Sequence, residues 1–277
     1  MSNPSVRGVA IPTLWYGTAW KHDRTEALTA LALGCGFRAI DTANQRKHYY
    51  EAGVGAAIAS AGIPREQLFL QSKFTHIGGQ DHRLPYDPEA PIGSQVEQSF
   101  AGSLANLGTT YLDSYVLHGP STRDGLAEAD VAAWRAIEAI HASERARLIG
   151  VSNVSLGQLK RLCGLARVVP AFVQNRCYAS TGWDSELRAF CRGHDIAYQG
   201  FSLLTANHKE LQRPVLDEIM ARTGRTREQL VFAFAIQSKI ISLTGTSSEH
   251  HMREDLEAVA IRLDAADLRA LEAIGRA

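Results

Sequence analysis

The sequence has few of the features that mark secreted and membrane proteins. Its 277 residues include only four cysteines, and none of them forms a CxxC pair. The segment MSNPSVRGVAIPTLW has no basic stretch followed by an apolar one, so no signal peptide is expected. No stretch approaches the about 18 apolar residues that a membrane span needs. We therefore expect reduced thiols, no membrane association and a cytoplasmic location.

An excess of charge of either sign is also absent. The chain has 29 Lys+Arg and 29 Asp+Glu residues, which gives a formal net charge of zero. Proteins that bind nucleic acids usually carry a basic excess or a basic patch. Nucleic acid is therefore not expected as a partner. Hydrophobic residues make up 45% and charged residues 21%, which is typical of an ordinary globular protein with a sizeable core.

Short β-rich runs alternate with longer helical patterns along the chain. Several runs are continuously apolar, as expected for parallel strands that are covered on both faces. The eight predicted strands span residues 13–17, 37–41, 68–73, 112–118, 148–152, 171–176, 196–201 and 240–245. Eight strand–helix units predict an α/β fold of the (β/α)8 TIM-barrel class. Because no Gly-, Ser- or Pro-rich linker is found, one domain is predicted over residues 1–277.

Polar residues at several helix starts fit capping motifs. The predicted pairs are Asp23 with Glu26, Ser155 with Gln158, Thr226 with Gln229, and Asp264 with Asp267. Gly34 and Gly36 predict the end of the first helix. The longest irregular stretch covers residues 74–91, and loops of this length are usually functional or mobile.

The active sites of barrel enzymes lie at the carboxyl ends of the strands. The second, third and fourth predicted strands end in Asp41, Lys73 and His118. Burial of an isolated charge is costly, so Asp41 and Lys73 are expected to pair. An ammonium near a phenol lowers the pKa of the hydroxyl, which then serves as a general acid; Tyr49 and Tyr50 follow Asp41. The alternative is a salt bridge that only closes the barrel rim.

These residues lie in segments that resemble the aldo-keto reductase family along almost the whole chain. The segments are GTAW at 17–20, IDTAN at 40–44, LQSK at 70–73, YLDSYVLHGP at 111–120, IGVSN at 149–153, VQN at 173–175 and LTGTSS at 243–248. The resemblance implies carbonyl reduction with a nicotinamide cofactor, usually NADPH, and no Rossmann domain. It also implies that a tyrosine donates the proton, Lys73 stabilises the alkoxide, His118 orients the carbonyl and Asp41 holds Lys73.

The tyrosine position departs from the family pattern. In most relatives the tyrosine lies five residues after the aspartate, and that position is Arg46 here. Counting backward from Val54–Gly55 gives His48 instead, so the loop is about two residues longer. Tyr49 is our first candidate for the proton donor, and Tyr50 and His48 are the alternatives.

Cofactor positions are also implied by the resemblance. Ser152, Asn153 and Gln174 match positions that bind the nicotinamide carboxamide, and Phe201 matches a stacking aromatic residue. The other candidates are Gly17, Thr18, Asp41, Ser202, Leu203, Leu204, Thr244, Gly245, Thr246, Ser247, His251 and Asp255. The Lys-Ser pair and the Arg that bind the adenosine 2′-phosphate in relatives are absent at these positions, and Arg253 is offered instead. NADPH is expected, with NADH as the alternative.

On the substrate side, Trp20, Tyr50 and His118 are expected to line the pocket. Residues 74–91 follow Lys73 directly and are interpreted as a solvated loop or a substrate lid. His76 and His82 have no third ligand at suitable spacing, so no metal site is expected. The chain ends soon after the last predicted helix, which predicts an open site or one closed by residues 74–91.

The leading hypothesis is an NADPH-dependent reductase that acts on a small aldehyde or ketone as a monomer. The unusual tyrosine loop motivates a second hypothesis, a specialised reductase of one secondary metabolite that acts on an imine or enone. A third hypothesis is a cofactor-binding regulatory barrel with little turnover. A hydrolase or lyase is disfavoured because neither a carboxylate pair nor a metal cluster is evident.

Overall fold

Eight strands form a closed barrel in a computed structural model that describes residues 5–276. Two short strands, β1 (Ser5–Val6) and β2 (Val9–Ala10), pair antiparallel before it. The barrel strands are β3 (Leu14–Gly17), β4 (Ala39–Asp41), β5 (Phe69–Phe74), β6 (Leu112–Leu117), β7 (Ala146–Ser152), β8 (Phe172–Arg176), β9 (Ala197–Phe201) and β10 (Ile240–Thr244). Their order is β10-β3-β4-β5-β6-β7-β8-β9, and the predicted (β/α)8 barrel is confirmed.

The chain divides into two compact units, Met1–Trp15 with Gln174–Ala277, and Tyr16–Val173. The second unit contains α1 (Thr25–Cys35), α2 (Glu51–Ala61), α3 (Ile92–Leu107), α4 (Glu128–Ala142) and α5 (Leu156–Leu165). Its strands pair in parallel, with Asp41 opposite Gln71 and Lys73 opposite Val116. This register places the carboxyl ends of β4, β5 and β6 side by side.

The other unit contains the remaining helices and the paired strands β9 and β10. Its helices are α6 (Ser185–Gly193), α7 (Pro214–Thr223), α8 (Arg227–Gln237), α9 (Glu249–Glu257) and α10 (Ala265–Ala273). Trp183 is fully buried at the start of α6 and donates from Nε1 to the carbonyl of Leu271 at 2.8 Å. Its ring centroid lies 5.3 Å from that of Phe234, so this indole joins three helices.

Three of the four predicted caps are present. The side chains of Ser155 and Thr226 accept from the backbone N–H groups three residues later, and Asp264 accepts from two N–H groups of α10. The Asp23–Glu26 capping box is wrong. Residues His22–Arg24 form a 3-10 turn instead, and α1 begins at Thr25, whose hydroxyl donates to the carbonyl of His22.

Other boundaries differ by a few residues from the sequence-based expectations. The third predicted strand extends to Phe74, while the second is shortened to three residues. Helix α1 ends at Cys35, and Gly36 caps it with a φ of 117°, which favours glycine. The predicted stop at Gly34 is wrong, because Gly34 lies inside the helix. The pair β1–β2 is missed because two-residue strands are too short to show a period of two. Among the helices of the described chain, none is both long and apolar enough to cross a membrane.

Candidate active site

A buried ion pair joins the carboxyl ends of β4 and β5. Lys73 Nζ donates to both carboxylate oxygens of Asp41, each at 2.7 Å, and to the carbonyl of Thr42 at 2.8 Å. Gln71 Nε2 also donates to Asp41 Oδ1 at 2.7 Å. Burial lowers the pKa of Lys73, and Asp41 opposes this shift. The expected pair is present, and these three bonds use all three protons of the ammonium.

Asp41, Lys73, His118 and Tyr49 form a group that we call the cluster. Alternate residues of β5 and Thr75, which directly follows this strand, supply one side of it. Side chains two residues apart on a strand point to the same face. Gln71, Lys73 and Thr75 follow this spacing, and each contacts a member of the cluster. Gln71 and Thr75 are absent from the sequence-based candidates. The period of two around Lys73 is the signal that identifies them.

His118 directly follows β6 and is fixed at both its backbone and its ring. Its N–H donates to the carbonyl of Phe74 at 2.8 Å, and its Nδ1 lies 2.6 Å from Thr75 Oγ1. Burial, together with the nearby Lys73 and His48, lowers the pKa of His118 to about 3. The ring is therefore neutral near pH 7. A threonine hydroxyl that donates to Nδ1 leaves the ring proton on Nε2.

Tyr49 is the tyrosine that the structure brings to this cluster. Its ring centroid lies 5.3 Å from Lys73 Nζ and 5.8 Å from the centroid of His118, which it meets edge to face. Tyr50 precedes the first residue of α2, is 40% exposed, and packs its ring against Gly53. The two neighbouring tyrosines thus have different environments, and only Tyr49 contacts both Lys73 and His118 within residues 5–276.

The electrostatics of Tyr49 differ from the sequence-based expectation. A lysine was expected to lower the pKa of the phenol, but burial, followed by the charge of Asp41, raises the pKa of Tyr49 above its usual value. Burial of the phenol is the larger cause, and the three protons of Lys73 are already bonded to Asp41 and to the carbonyl of Thr42. The ammonium nitrogen lies 5.3 Å from the centroid of the Tyr49 ring. Tyr49 is consequently protonated at neutral pH and has a proton to donate.

His48 lies against Trp20 in this unit. Their ring centroids are 3.6 Å apart, and the Trp20 N–H donates to the His48 carbonyl at 2.7 Å. Burial and the charge of Lys47 lower the pKa of His48. Trp20 is 64% exposed, so its other face is open to solvent. His48 thus stacks on Trp20, and it is near enough to His118 for its charge to contribute to the lowered pKa of that ring.

Residues 74–91 are tied to the loop that carries Tyr49. Gln80 Nε2 donates to the carbonyl of Asn44 at 2.9 Å, and Gln45 Nε2 donates to the carbonyl of Gly79 at 2.8 Å. The buried Tyr86 donates from its hydroxyl to the carbonyl of Thr75 at 2.8 Å. The segment includes a 3-10 turn at Ile77–Gly79 and is anchored at several points. Its role as a substrate lid stays a prediction.

Four cofactor candidates of this unit lie beside Asp41 and His118. Thr18 donates from its hydroxyl and its N–H to the carbonyl of Asp41, and Gly17 is opposite Asp41 in the sheet. Asn153 Nδ2 donates to the carbonyl of His118 at 2.7 Å and to Ser152 Oγ at 3.1 Å. No donor within residues 5–276 reaches Asn153 Oδ1. An amide oxygen beside a hydroxyl fits the donor and acceptor atoms of a carboxamide.

In the other unit, further candidates stand at the carboxyl ends of β8 and β9. Gln174 Nε2 donates to Gln199 Oε1 at 2.9 Å, and the ring of Phe201 lies 5.7 Å from the guanidinium of Arg176. Ser202 adopts a φ of 57°. Leu203 is buried, and Leu204 is half-buried. The ring of Phe201 is half-buried as well, so it is no ordinary core residue.

The candidates after β10 form a hydroxyl-rich segment. Thr244 Oγ1 donates to Asp255 Oδ2 at 2.7 Å, and burial raises the pKa of Asp255 to about 6. Thr246 is half-buried, whereas Gly245, Ser247 and His251 are exposed.

Arg253 is paired with Glu249 through two hydrogen bonds of 2.7 and 3.2 Å. The guanidinium of Arg253, which the sequence analysis proposes as a phosphate ligand, is therefore already paired with the carboxylate of Glu249.

No three His, Cys, Asp or Glu side chains come together as a metal site within residues 5–276. His76 Nε2 instead lies 3.1 Å from Asp130 Oδ1. Asp130 also accepts from the N–H groups of Ser121 and Ala127. This carboxylate connects residues 74–91 to the segment that follows His118.

The chain is similar to reductases in both sequence and structure. Residues 13–276 match the model of the "Aldo/keto reductase family". The chain is 28% identical to a glyoxal reductase of Bacillus subtilis over 274 residues, covering 97% of this chain and 91% of that protein. It is 27% identical to the methylglyoxal reductase DkgA of Escherichia coli over 275 residues, with coverage of 97% and 92%. An aldo/keto reductase from Brucella melitensis superposes with a TM-score of 0.84 at 28% identity, covering 98% and 97%.

Proposed function

Because this chain belongs to the aldo/keto reductase family, we propose that it is an NADPH-dependent reductase of small aldehydes or ketones, with Tyr49 as the proton donor. The family and its named relatives are oxidoreductases that reduce carbonyl groups, generally with nicotinamide cofactors. The observation that carries the proposal for this chain is the packing of the Tyr49 ring against both Lys73 and His118.

The bound nicotinamide supplies the hydride for the carbonyl carbon. Tyr49 provides the proton for the carbonyl oxygen, since its raised pKa keeps the phenol protonated until an alkoxide develops beside it. The ammonium of Lys73 lies close to this ring and stabilises the negative charge that forms on the oxygen. Asp41 and the carbonyl of Thr42 hold the ammonium in place.

His118 orients the carbonyl in this mechanism. A neutral ring with its proton on Nε2 donates to the substrate oxygen without adding a positive charge. The low pKa of about 3 keeps the ring neutral, and we propose that Thr75 Oγ1 donates to Nδ1, which leaves the proton on Nε2. His118 and Tyr49 then supply two donors to one oxygen, which is the arrangement that a developing alkoxide needs.

The residues present fit a nicotinamide dinucleotide. The free Oδ1 of Asn153 and the hydroxyl of Ser152 would hold the carboxamide. From the family resemblance alone, we also propose Phe201 and Gln174 as nicotinamide contacts and the hydroxyl groups of Thr246 and Ser247 as phosphate contacts. NADPH is the proposed cofactor, although Arg253 is bound to Glu249. Equal Michaelis constants for NADPH and NADH would contradict this preference.

Small α-dicarbonyl compounds are the first substrates to test, since two relatives are named glyoxal and methylglyoxal reductase. We also propose that the protein acts as a cytoplasmic monomer. Sedimentation equilibrium measures the oligomeric state directly.

Single substitutions of the two tyrosines test the mechanism. Tyr49→Phe removes the proposed donor and should lower kcat by about a hundredfold to ten-thousandfold. Tyr50→Phe is the matched control and should leave kcat close to that of the wild type. The readout is the absorbance of NADPH with methylglyoxal as substrate. If Tyr50→Phe abolishes turnover while Tyr49→Phe retains it, the assignment is wrong.

A further inference from the structure

A cavity separate from the candidate active-site residues lies within the unit formed by residues 5–15 and 174–276. Its volume is about 750 Å³, and none of the candidate catalytic or cofactor residues lines it. Ile196 directly precedes β9, and Ile240 is the first residue of β10. The cavity is thus at the amino ends of these strands, whereas Phe201 and Thr244 stand at their carboxyl ends.

The walls of this cavity are largely aliphatic. They include Ile11, Ile196, Ile236, Ile240, Val259 and Leu268. Pockets that bind small molecules commonly have volumes of about 300–1,000 Å³ and predominantly apolar linings. An alkyl chain is the ligand group whose transfer from water such walls favour.

Three exposed basic residues also line this cavity. Arg192, Lys239 and Arg262 line the cavity and are exposed to solvent. Among the described residues, the side chains of Arg192 and Lys239 have no ion pair or hydrogen bond. No Asp or Glu in the described part of the chain lines the cavity. Two uncompensated cations beside an apolar cavity are complementary to an amphipathic anion.

The neighbouring Arg188 is not available for such a ligand. It is 6% exposed and donates to Glu272 Oε1 and to the carbonyl of Ser238.

The position of Lys239 is also unusual. It follows the carboxyl end of α8 with a φ of 63°, where glycine is the common residue. The carboxyl ends of helices favour nearby cations, which accounts for a positive charge here. It does not account for the apolar cavity beside it. Lys239 thus places a long cationic side chain at a left-handed backbone position that residues other than glycine rarely adopt.

We propose that this cavity binds an aliphatic monocarboxylate of medium chain length. The alkyl chain lies between the aliphatic walls, and the carboxylate is held by Arg192 and Lys239. Since no residue of the proposed reaction lines the cavity, this site does not depend on the proposed function.

Calorimetric titration of the full chain without cofactor tests the site. Hexanoate, octanoate and decanoate should bind with an affinity that rises about threefold to fourfold per methylene. Decan-1-ol and decyltrimethylammonium have the same chain without the negative charge, and they should bind at least about tenfold more weakly than decanoate. Equal affinity of decanol and decanoate would overturn the role of the two cations.

Variants locate the binding site. The exposed pair Arg192→Glu and Lys239→Glu, made together, should weaken decanoate binding by about tenfold or more. Lys209→Glu with Arg225→Glu makes the same change in net charge away from the cavity lining and should leave binding unchanged. Ile236→Trp should block the cavity, and circular dichroism checks that each variant folds. Decanoate that fails to saturate, or that binds all variants equally, overturns the proposal.

Discussion

The hydroxyl of Thr75 is the group that contacts Nδ1 of His118, and we propose that it sets which ring nitrogen carries the proton. It is the partner of Nδ1, at 2.6 Å, and the burial of His118 keeps the ring neutral. A neutral imidazole has one proton, so the bond made at Nδ1 decides whether Nε2 donates or accepts. Donation from Nε2 is what a substrate carbonyl requires.

Replacing Thr75 tests this role. Thr75→Val keeps the shape but removes the hydroxyl, and we expect kcat/KM to fall by about tenfold, the scale of one lost hydrogen bond. Thr75→Ser restores the hydroxyl and should recover most of the activity. Nitrogen-15 NMR of His118 should show a larger Nδ1-protonated fraction in Thr75→Val only. An unchanged tautomer in that variant would contradict the positioning role.

Asp255 is a second residue whose environment has a measurable consequence. Burial raises its pKa to about 6, so the folded protein binds this proton more tightly than the unfolded chain does. The ionised carboxylate therefore lowers the free energy of unfolding. This loss grows as the pH rises from about 3.9 to 6 and is complete above that.

Asp255→Asn removes the charge and keeps an oxygen for the hydroxyl of Thr244. The variant should be more stable than the wild type by about 1–3 kcal/mol near pH 8, and the difference should nearly vanish near pH 4. Urea unfolding at both pH values measures this. A stability difference that is independent of pH would show that ionisation of Asp255 carries no penalty.

At the scale of elements, the position of Tyr49 depends on how α2 packs. Helix α2 begins immediately after Tyr50, and a Cβ on its Gly55 would collide with the carbonyl oxygen of Asn106 in α3. Only glycine permits this close approach of the two helices. Gly55 of the Val54–Gly55 pair, which served as a reference point for the tyrosine loop in the sequence, thus allows α2 to pack closely against α3.

Two glycine substitutions separate packing from helix propensity. Gly55→Ala must push α2 away from α3 and should lower the free energy of unfolding by about 1–3 kcal/mol. Gly34→Ala in α1 meets no atom within 4 Å and should raise it by about 0.5–1 kcal/mol. Denaturant unfolding compares the two. Gly55→Ala with wild-type stability would mean that the helix contact adapts freely.

The sequence predicts the elements better than their fine contacts. The eight strands and the caps at Ser155 and Thr226 are predictable because periodicity and capping are local. Asp23 fails as a cap because a 3-10 turn competes with it. The sequence ranks Tyr49 first but leaves Tyr50 and His48 open, because the loop conformation decides which ring meets Lys73 and His118. The role of Thr75 requires a contact with a residue about 40 positions away.

At the scale of the whole molecule, the balance of charge predicts colloidal behaviour. The formal net charge is zero, and the isoelectric point is about 7.2. Proteins with no net charge repel one another weakly. We expect solubility in low salt to be lowest near pH 7.2 and to rise on either side. Light scattering across pH measures this, and a minimum far from neutrality would indicate that local patches dominate.

The hydrogen bonds between residues 74–91 and the loop that carries Tyr49 have a consequence for protein engineering. Gln45, Gln80 and Arg83 each bind the backbone of the opposite segment. A chimera that exchanges only one segment with a relative would leave these groups without their partners. The two segments therefore form one exchangeable module, and grafting them together is the route by which this lengthened tyrosine loop can be moved into another barrel.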